Sequence, residues 1–180
     1  QVTDISEGMV NDARRNIGNG MFDYGVADCM NLPFDDNSFD CVIANHVIFY
    51  CEEPGKAFKE IKRVLKPRGK AVFSTYGSHH MQEIAQLVNQ FDKRIVLSAD
   101  VLYEKFGLDN GERLLKKYFN KVDKRLYDDY LLVDVAEPII EYILSCHGNQ
   151  NHYLLDRYSD FKAFIMKKTR KRNAKCVFGH

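Results

Sequence analysis

Three polar side chains stand where apolar runs give out. Asp4 ends the opening stretch, Asp28 ends a run beginning near Phe22, and Asn45 with His46 closes a run that extends from Phe39 to Val47. A carboxylate at a strand's end can accept hydrogen bonds from both hydroxyls of a ribose, as acidic residues do in nucleotide-binding βαβ units. Asp4 is placed for that contact, and equally for assisting the start of the helix that follows it. At Asp28 a carboxylate can accept from an adenine amino group while a backbone N–H at Cys29 donates to a ring nitrogen; an ordinary strand-to-loop aspartate reads the same way. Tyr50 lies one loop beyond Asn45 and Tyr76 ends the next strand, so His46, Tyr50 and Tyr76 are candidates for the wall of a substrate pocket.

The elements that must hold these residues alternate. Ser6 is an N-cap with Glu7 favourably placed at the positive end of a helix, and Met9, Val10 and Ala13 give that helix a buried side. The run Phe39–Val47 is almost continuously apolar, as suits a parallel strand covered on both faces. Asp35, Asp36, Asn37 and Ser38 mark the turn before it. Pro54 suits a first helical turn, Ala57, Phe58, Ile61, Val64 and Leu65 recur at helical spacing, and Pro67 with Gly69 is expected to stop the helix before a strand over Ala71–Thr75. Strand, helix and strand in repetition imply parallel strands with crossovers, and such open sheets bind ligands beyond their carboxyl ends.

After Gly77 the pattern predicts helices near Met81–Phe91, Gly111–Phe119, Ala136–Leu144 and Tyr153–Lys168, a strand near Lys124–Tyr130, and a last strand over Cys176–His180. The expected organisation is a single domain over 1–180, with a cofactor-binding part at 1–77 and substrate-side helices and last strands at 78–180. The aromatics of the second half, Tyr142 and Phe161 among them, are expected to be mostly core.

Composition narrows the partners. Lys and Arg number 26 against 25 Asp and Glu, a net charge of +1, which gives no overall field toward nucleic acid or an anionic membrane. The 5 cysteines are scattered without a C-x-x-C pair, against a disulfide framework or structural zinc. No apolar run approaches the roughly 20 residues of a membrane helix. The reading is a cytoplasmic protein acting on a small-molecule substrate, with its oligomeric state open.

The stretches Val2–Met9 (VTDISEGM), Ala27–Asp40 (ADCMNLPFDDNSFD) and Arg63–Gly69 (RVLKPRG) resemble consecutive motifs of class I S-adenosylmethionine-dependent methyltransferases, in the group that contains the ubiquinone and menaquinone C-methyltransferases (methyltransferase type 11). The resemblance covers about Gln1–Tyr76. It implies a Rossmann-like, doubly wound α/β fold with helices on both faces of a mostly parallel sheet, extra helices in the C-terminal half, and S-adenosylmethionine as cofactor. It implies further that Asp4 binds the ribose hydroxyls, Ile5 packs on the adenine, Asp28 and Cys29 recognise the adenine edge, and Asn45 lies near the methionine part. The family's first strand and glycine-rich turn precede the position of Gln1. The chain is therefore read as N-terminally truncated by on the order of 40 residues, and as inactive or weakly binding in that form.

Methyl transfer from a sulfonium is an in-line displacement that needs alignment and a dry pocket more than a nucleophile. His46, His79 and His80 are the imidazoles whose position suits a general base, but flanking a helix start or a strand end accounts for them as well, and no catalytic residue is assigned. Cys146-His147 with His152 lacks a recognised metal-ligand spacing, so no metal is expected. Lys167, Lys168, Arg170, Lys171, Arg172 and Lys175 form a basic run that would suit an RNA substrate or, more simply, a solvated helix end. An RNA-modifying methyltransferase and a non-catalytic binding protein of the same fold are the two alternatives.

Overall fold

A computed structural model gives the structure of the protein and describes residues 1–18, 20–98, 101–127, 130–133, 135–170 and 176–179. In chain order the elements are β1 (Val2–Asp4), α1 (Glu7–Ile17), β2 (Tyr24–Val26), β3 (Phe39–Asn45), α2 (Pro54–Val64), β4 (Leu65–Ser74), α3 (Gln82–Phe91), α4 (Leu102–Lys105), α5 (Gly111–Leu115), β5 (Tyr130–Val133), α6 (Ala136–Ser145), α7 (Gln150–Leu154), α8 (Tyr158–Arg170) and β6 (Cys176–Gly179). Short 3₁₀ turns occupy Ile48–Tyr50 and Leu155–Arg157. They divide into two compact units, Gln1–Thr75 with Leu102–Lys124, and Tyr76–Val101 with Arg125–His180.

The first unit is built from two strand–helix–strand repeats, the Rossmann-like α/β arrangement. β1 pairs in parallel with β2, Asp4 opposite Val26, and β3 pairs in parallel with β4, Asn45 opposite Ser74. The two pairs are separate two-stranded sheets. α1 begins where the Ser6 hydroxyl accepts from Met9 N–H and ends at Gly18, whose φ of 97° lies in the region that side chains avoid. α2 turns Ala57, Phe58, Ile61 and Val64 inward, all buried, which is the spacing of one helical face.

An aromatic cluster joins α2 and β4 to the segment that returns at Leu102. Phe58 is 1% exposed and its ring lies 5.7 Å from Phe73, 5.6 Å from Phe106 and 5.3 Å from Tyr118. Burial of such a ring removes enough apolar surface from water to contribute about 1.5–3 kcal/mol. This packing, together with a hydrogen bond from Thr75 Oγ1 to Phe106 O at 2.7 Å, gathers 102–124 into the first unit.

Several sequence expectations shift here. α2 stops at Val64, just before Pro67 and Gly69, and Leu65 is already extended, so both residues lie inside an irregular first half of β4 rather than in a loop. Pro67 confines Lys66 to extended backbone, and at Gly69 a Cβ would come within 2.9 Å of Lys66 O and 3.2 Å of Asp40 O. The strand pair β3–β4 is not covered on both faces as its apolar run implied. Ala44 is buried on the face that meets α2, whereas the register partners Ile43 and Val72 are 69% and 50% exposed.

The second unit packs α3, α6 and α8 around Ile84, Val88, Ile139, Ile140, Ile143, Phe161 and Ile165. β5 runs antiparallel to β6, with Val133 opposite Cys176, so the expected strand near Lys124–Tyr130 lies later, at Tyr130–Val133. The helix expected over Tyr153–Lys168 is two helices, α7 and α8, separated by the 3₁₀ turn. Gln150 is fully buried and its amide nitrogen donates to Leu144 O and Cys146 O, carbonyls of the last turn of α6 and just beyond. That capping satisfies groups a helix end otherwise leaves unpaired. Asn149 ties the segment after α3 in place, accepting from Val96 N–H at 2.7 Å and donating to Arg94 O at 3.0 Å.

Candidate cofactor site

Asp4 is the last residue of β1, and its Oδ1 accepts from Ser6 N–H at 2.8 Å while its carbonyl accepts from Ala27 N–H at 3.0 Å. One carboxylate oxygen is thereby fixed in a turn that leads straight into α1. A carboxylate has acceptor sites on both oxygens, so this bond orients the group without exhausting it. Ile5, next in sequence, is 67% exposed, an apolar surface set between the strand's end and the helix.

Asp28 follows β2 at the same carboxyl end of the same parallel pair. Its Oδ1 accepts from Met30 N–H at 2.8 Å, and Asn31 N–H donates to its carbonyl at 3.0 Å, so the chain turns tightly on this residue. Cys29 is half-buried, with its Sγ 3.1 Å from Cys51 Sγ. Asp4, Ile5, Asp28 and Cys29 thus share one end of one strand pair.

Asn45 closes β3, and its Oδ1 accepts from Ser74 Oγ at 2.5 Å. Ser74 Oγ in turn accepts from His46 N–H at 3.1 Å, and His46 takes a left-handed φ of 51°. Its ring lies 6.0 Å from that of Phe49. Tyr50 is 67% exposed at the end of the 3₁₀ turn. Tyr76 is the first residue of the second unit, its ring 4.9 Å from His80. His79 Nδ1 lies 2.8 Å from Gln82 Oε1 at the start of α3, the helix-flanking role.

The loop from Leu32 to Asp36 is held by Arg63, which opens the RVLKPRG motif, and by Glu60, which lies outside the three motifs. Glu60 accepts from Leu32 N–H at 2.9 Å. Arg63 donates to Leu32 O at 3.0 Å, Phe34 O at 2.7 Å and Asp36 Oδ1 at 2.8 Å. The two also pair with each other, Nη2 to Oε2 at 2.7 Å, and this contact with Arg63 holds Glu60 below the ordinary carboxylate range. Glu60 and Arg63 are i,i+3 neighbours on α2, a spacing visible in sequence, but their targets lie in a distant loop.

Among the described residues no three His, Cys, Asp or Glu side chains gather as a metal site, and no helix is long and apolar enough to cross a membrane. Of the basic run, Lys168 donates to Gln90 Oε1 at 2.6 Å, and Lys171, Arg172 and Lys175 lie outside the described residues.

Comparison with known proteins bears on the family of this unit. Residues 2–73 match the methyltransferase domain family. The chain is 40% identical over 76 residues, 42% of its length and 31% of the relative's, to a demethylmenaquinone methyltransferase of Clavibacter sepedonicus. It is 32% identical over 124 residues to a malonyl-[acyl-carrier protein] O-methyltransferase of Methylovorus, covering 65% of this chain and 40% of that protein. Such matches span less than half the length of these curated relatives. A provisionally named methyltransferase structure from Bacillus halodurans aligns with a TM-score of 0.53 at 15% identity, over 78% of this chain and 60% of that one, which supports the fold. Over residues 2–73 the chain is therefore similar to the methyltransferase domain family and to these methyltransferases.

Proposed function

We propose that this protein binds S-adenosylmethionine along the carboxyl ends of β1 and β2 and transfers its methyl group to a small or medium-sized acceptor. The observation that carries the reading is Asp4, a carboxylate fixed by Ser6 N–H at a strand's end within the matched domain. The residues fit an adenosine. Asp4 offers acceptors to two vicinal hydroxyls, exposed Ile5 offers an apolar face to a base, and the Asp28 turn offers an acceptor and adjacent backbone N–H groups to its edge.

When bound, the cofactor supplies an electrophilic methyl on a sulfonium. The work of the chain is to bind, orient and exclude water, since a displacement that discharges a cation is accelerated by alignment and a water-poor surround. Asn45, held by Ser74, closes β3 in the other strand pair and is proposed to orient the methionine part. Glu60 and Arg63 keep the loop 32–36 closed beside the Asp28 turn. His46 and Tyr50 are proposed for the acceptor side. A small acceptor suits a chain of net charge +1, and a cytoplasmic setting suits its free thiols.

Calorimetric titration with S-adenosylmethionine tests the reading, using the protein at its full natural length. Hydrogen bonds to a charged group contribute about 1.5–3 kcal/mol, so Asp4→Ala is expected to weaken binding by roughly tenfold or more. Unaltered affinity in Asp4→Ala would place the cofactor elsewhere.

A further inference from the structure

Cys29 and Cys51 are separated by the whole of β3 and the 3₁₀ turn after it, yet their sulfurs lie 3.1 Å apart. We propose that they form a reversible redox pair, closing an intramolecular disulfide that ties the turn after β2 to the 3₁₀ turn after β3. A disulfide needs its sulfurs about 2.05 Å apart, so they must approach by roughly 1 Å.

Both backbones are anchored from their own sides. The turn carrying Cys29 is held by the Asp28 bonds to Met30 and Asn31 and by Glu60 through Leu32. Cys51 N–H donates to Ile48 O at 3.1 Å, and Ile48 and Phe49 are almost wholly buried. The encounter is thus built into two rigid segments, unlike Cys41, which is exposed, or Cys146, whose thiol burial pushes up.

The hydrogen bond with Cys29 holds the Cys51 thiol below its ordinary range, and the same bond pushes Cys29 up. Either sulfur can act as donor, and Cys29, the more exposed of the two, loses the bond that pushes it up once Cys51 is replaced.

The oxidant is a small-molecule disulfide of the glutathione class. A cysteine thiolate attacks one of its sulfurs, a mixed disulfide forms, and one small thiol leaves with a proton. The second cysteine, deprotonated by solvent, then attacks the protein sulfur of that mixed disulfide and expels the second small thiol. Two protein thiols are oxidised to one disulfide and one small disulfide is reduced to two thiols. The proposal stands whether or not Asp28 meets an adenine.

The test incubates the native protein with oxidised glutathione and maps its cysteines by alkylation and peptide mass spectrometry, comparing wild type with Cys51→Ser. The expected result is a cross-linked Cys29–Cys51 peptide pair with loss of two hydrogens and a higher midpoint of thermal unfolding, both reversed by dithiothreitol. Cys51→Ser is expected to retain a stable glutathione adduct at Cys29. A wild type whose Cys29 and Cys51 stay alkylatable, or which accumulates the mixed disulfide without closing it, overturns the proposal.

Discussion

Glu60 is where a single carboxylate has the widest reach in this structure. It accepts from Leu32 N–H and from Nε and Nη2 of Arg63, which itself donates to two loop carbonyls and to Asp36. Glu60→Gln removes the charge that holds this cluster together and is expected to lower stability by about 1–3 kcal/mol near neutral pH, measured by urea denaturation. Arg63 depresses the folded-state pKa of Glu60, so its contribution is complete above the unfolded carboxylate value of about 4.3 and is lost as pH falls through the folded value. The difference between wild type and Glu60→Gln should therefore shrink on acidification; a difference that grows instead would contradict the pairing. At this scale Asp4, Asp28 and Asn45 were legible in sequence, because each stands at the end of an apolar run and strand ends are where open sheets present polar groups. Glu60, Arg63, Ser74 and Cys51 were not, because each acts on a partner more than twenty residues away, and only the fold supplies that proximity.

Helix α2 shows how an element inherits its place. Its buried face can be read directly from the positions of Ala57, Phe58, Ile61 and Val64, and the structure keeps all four inside. Phe58→Ala would open a cavity beneath Phe73, Phe106 and Tyr118, with an expected loss of about 3–5 kcal/mol in denaturant unfolding; a loss below about 1 kcal/mol would mean the aromatic cluster is loosely packed. The same helix ends before Pro67 and Gly69, as expected of these residues, but the two also shape the entry to β4, a second role that only the fold shows. Local propensity cannot separate these cases, because the deciding contact at Gly69 is the approach of Lys66 and Asp40 carbonyls. The break between α7 and α8 escaped for a similar reason: Tyr153–Lys168 carries a helical pattern throughout, and the 3₁₀ turn at Leu155–Arg157 leaves its periodicity nearly intact. The apolar run of β3 likewise could not show that Ile43 would be left exposed, since coverage belongs to neighbouring elements.

Over the whole molecule, the association of Leu102–Lys124 with the first unit is a nonlocal fact carried by Phe106, Tyr118 and Phe119, whose ring partners Phe58 and Phe73 lie more than thirty residues away. The second unit has its own core, in which Ile140 is 1% exposed. Ile140→Ala is expected to lower the stability of that unit by about 2–5 kcal/mol while leaving S-adenosylmethionine affinity within about twofold, since the cluster around Ile140 holds none of the candidate cofactor residues; a matched loss of affinity in calorimetry would tie that core to the cofactor site. The motifs at 2–9, 27–40 and 63–69 made the family legible because they lie in the strand ends, loops and helix end of one unit, whereas the acceptor depends on side chains whose roles no shared motif fixes. The central claim is the location of the cofactor. Amide hydrogen exchange of the full-length protein, with and without saturating S-adenosylmethionine, tests it most directly. Slowed exchange at residues 4–6 and 28–31 is the expected result, and cofactor binding that leaves both segments exchanging at their free rates would contradict the account.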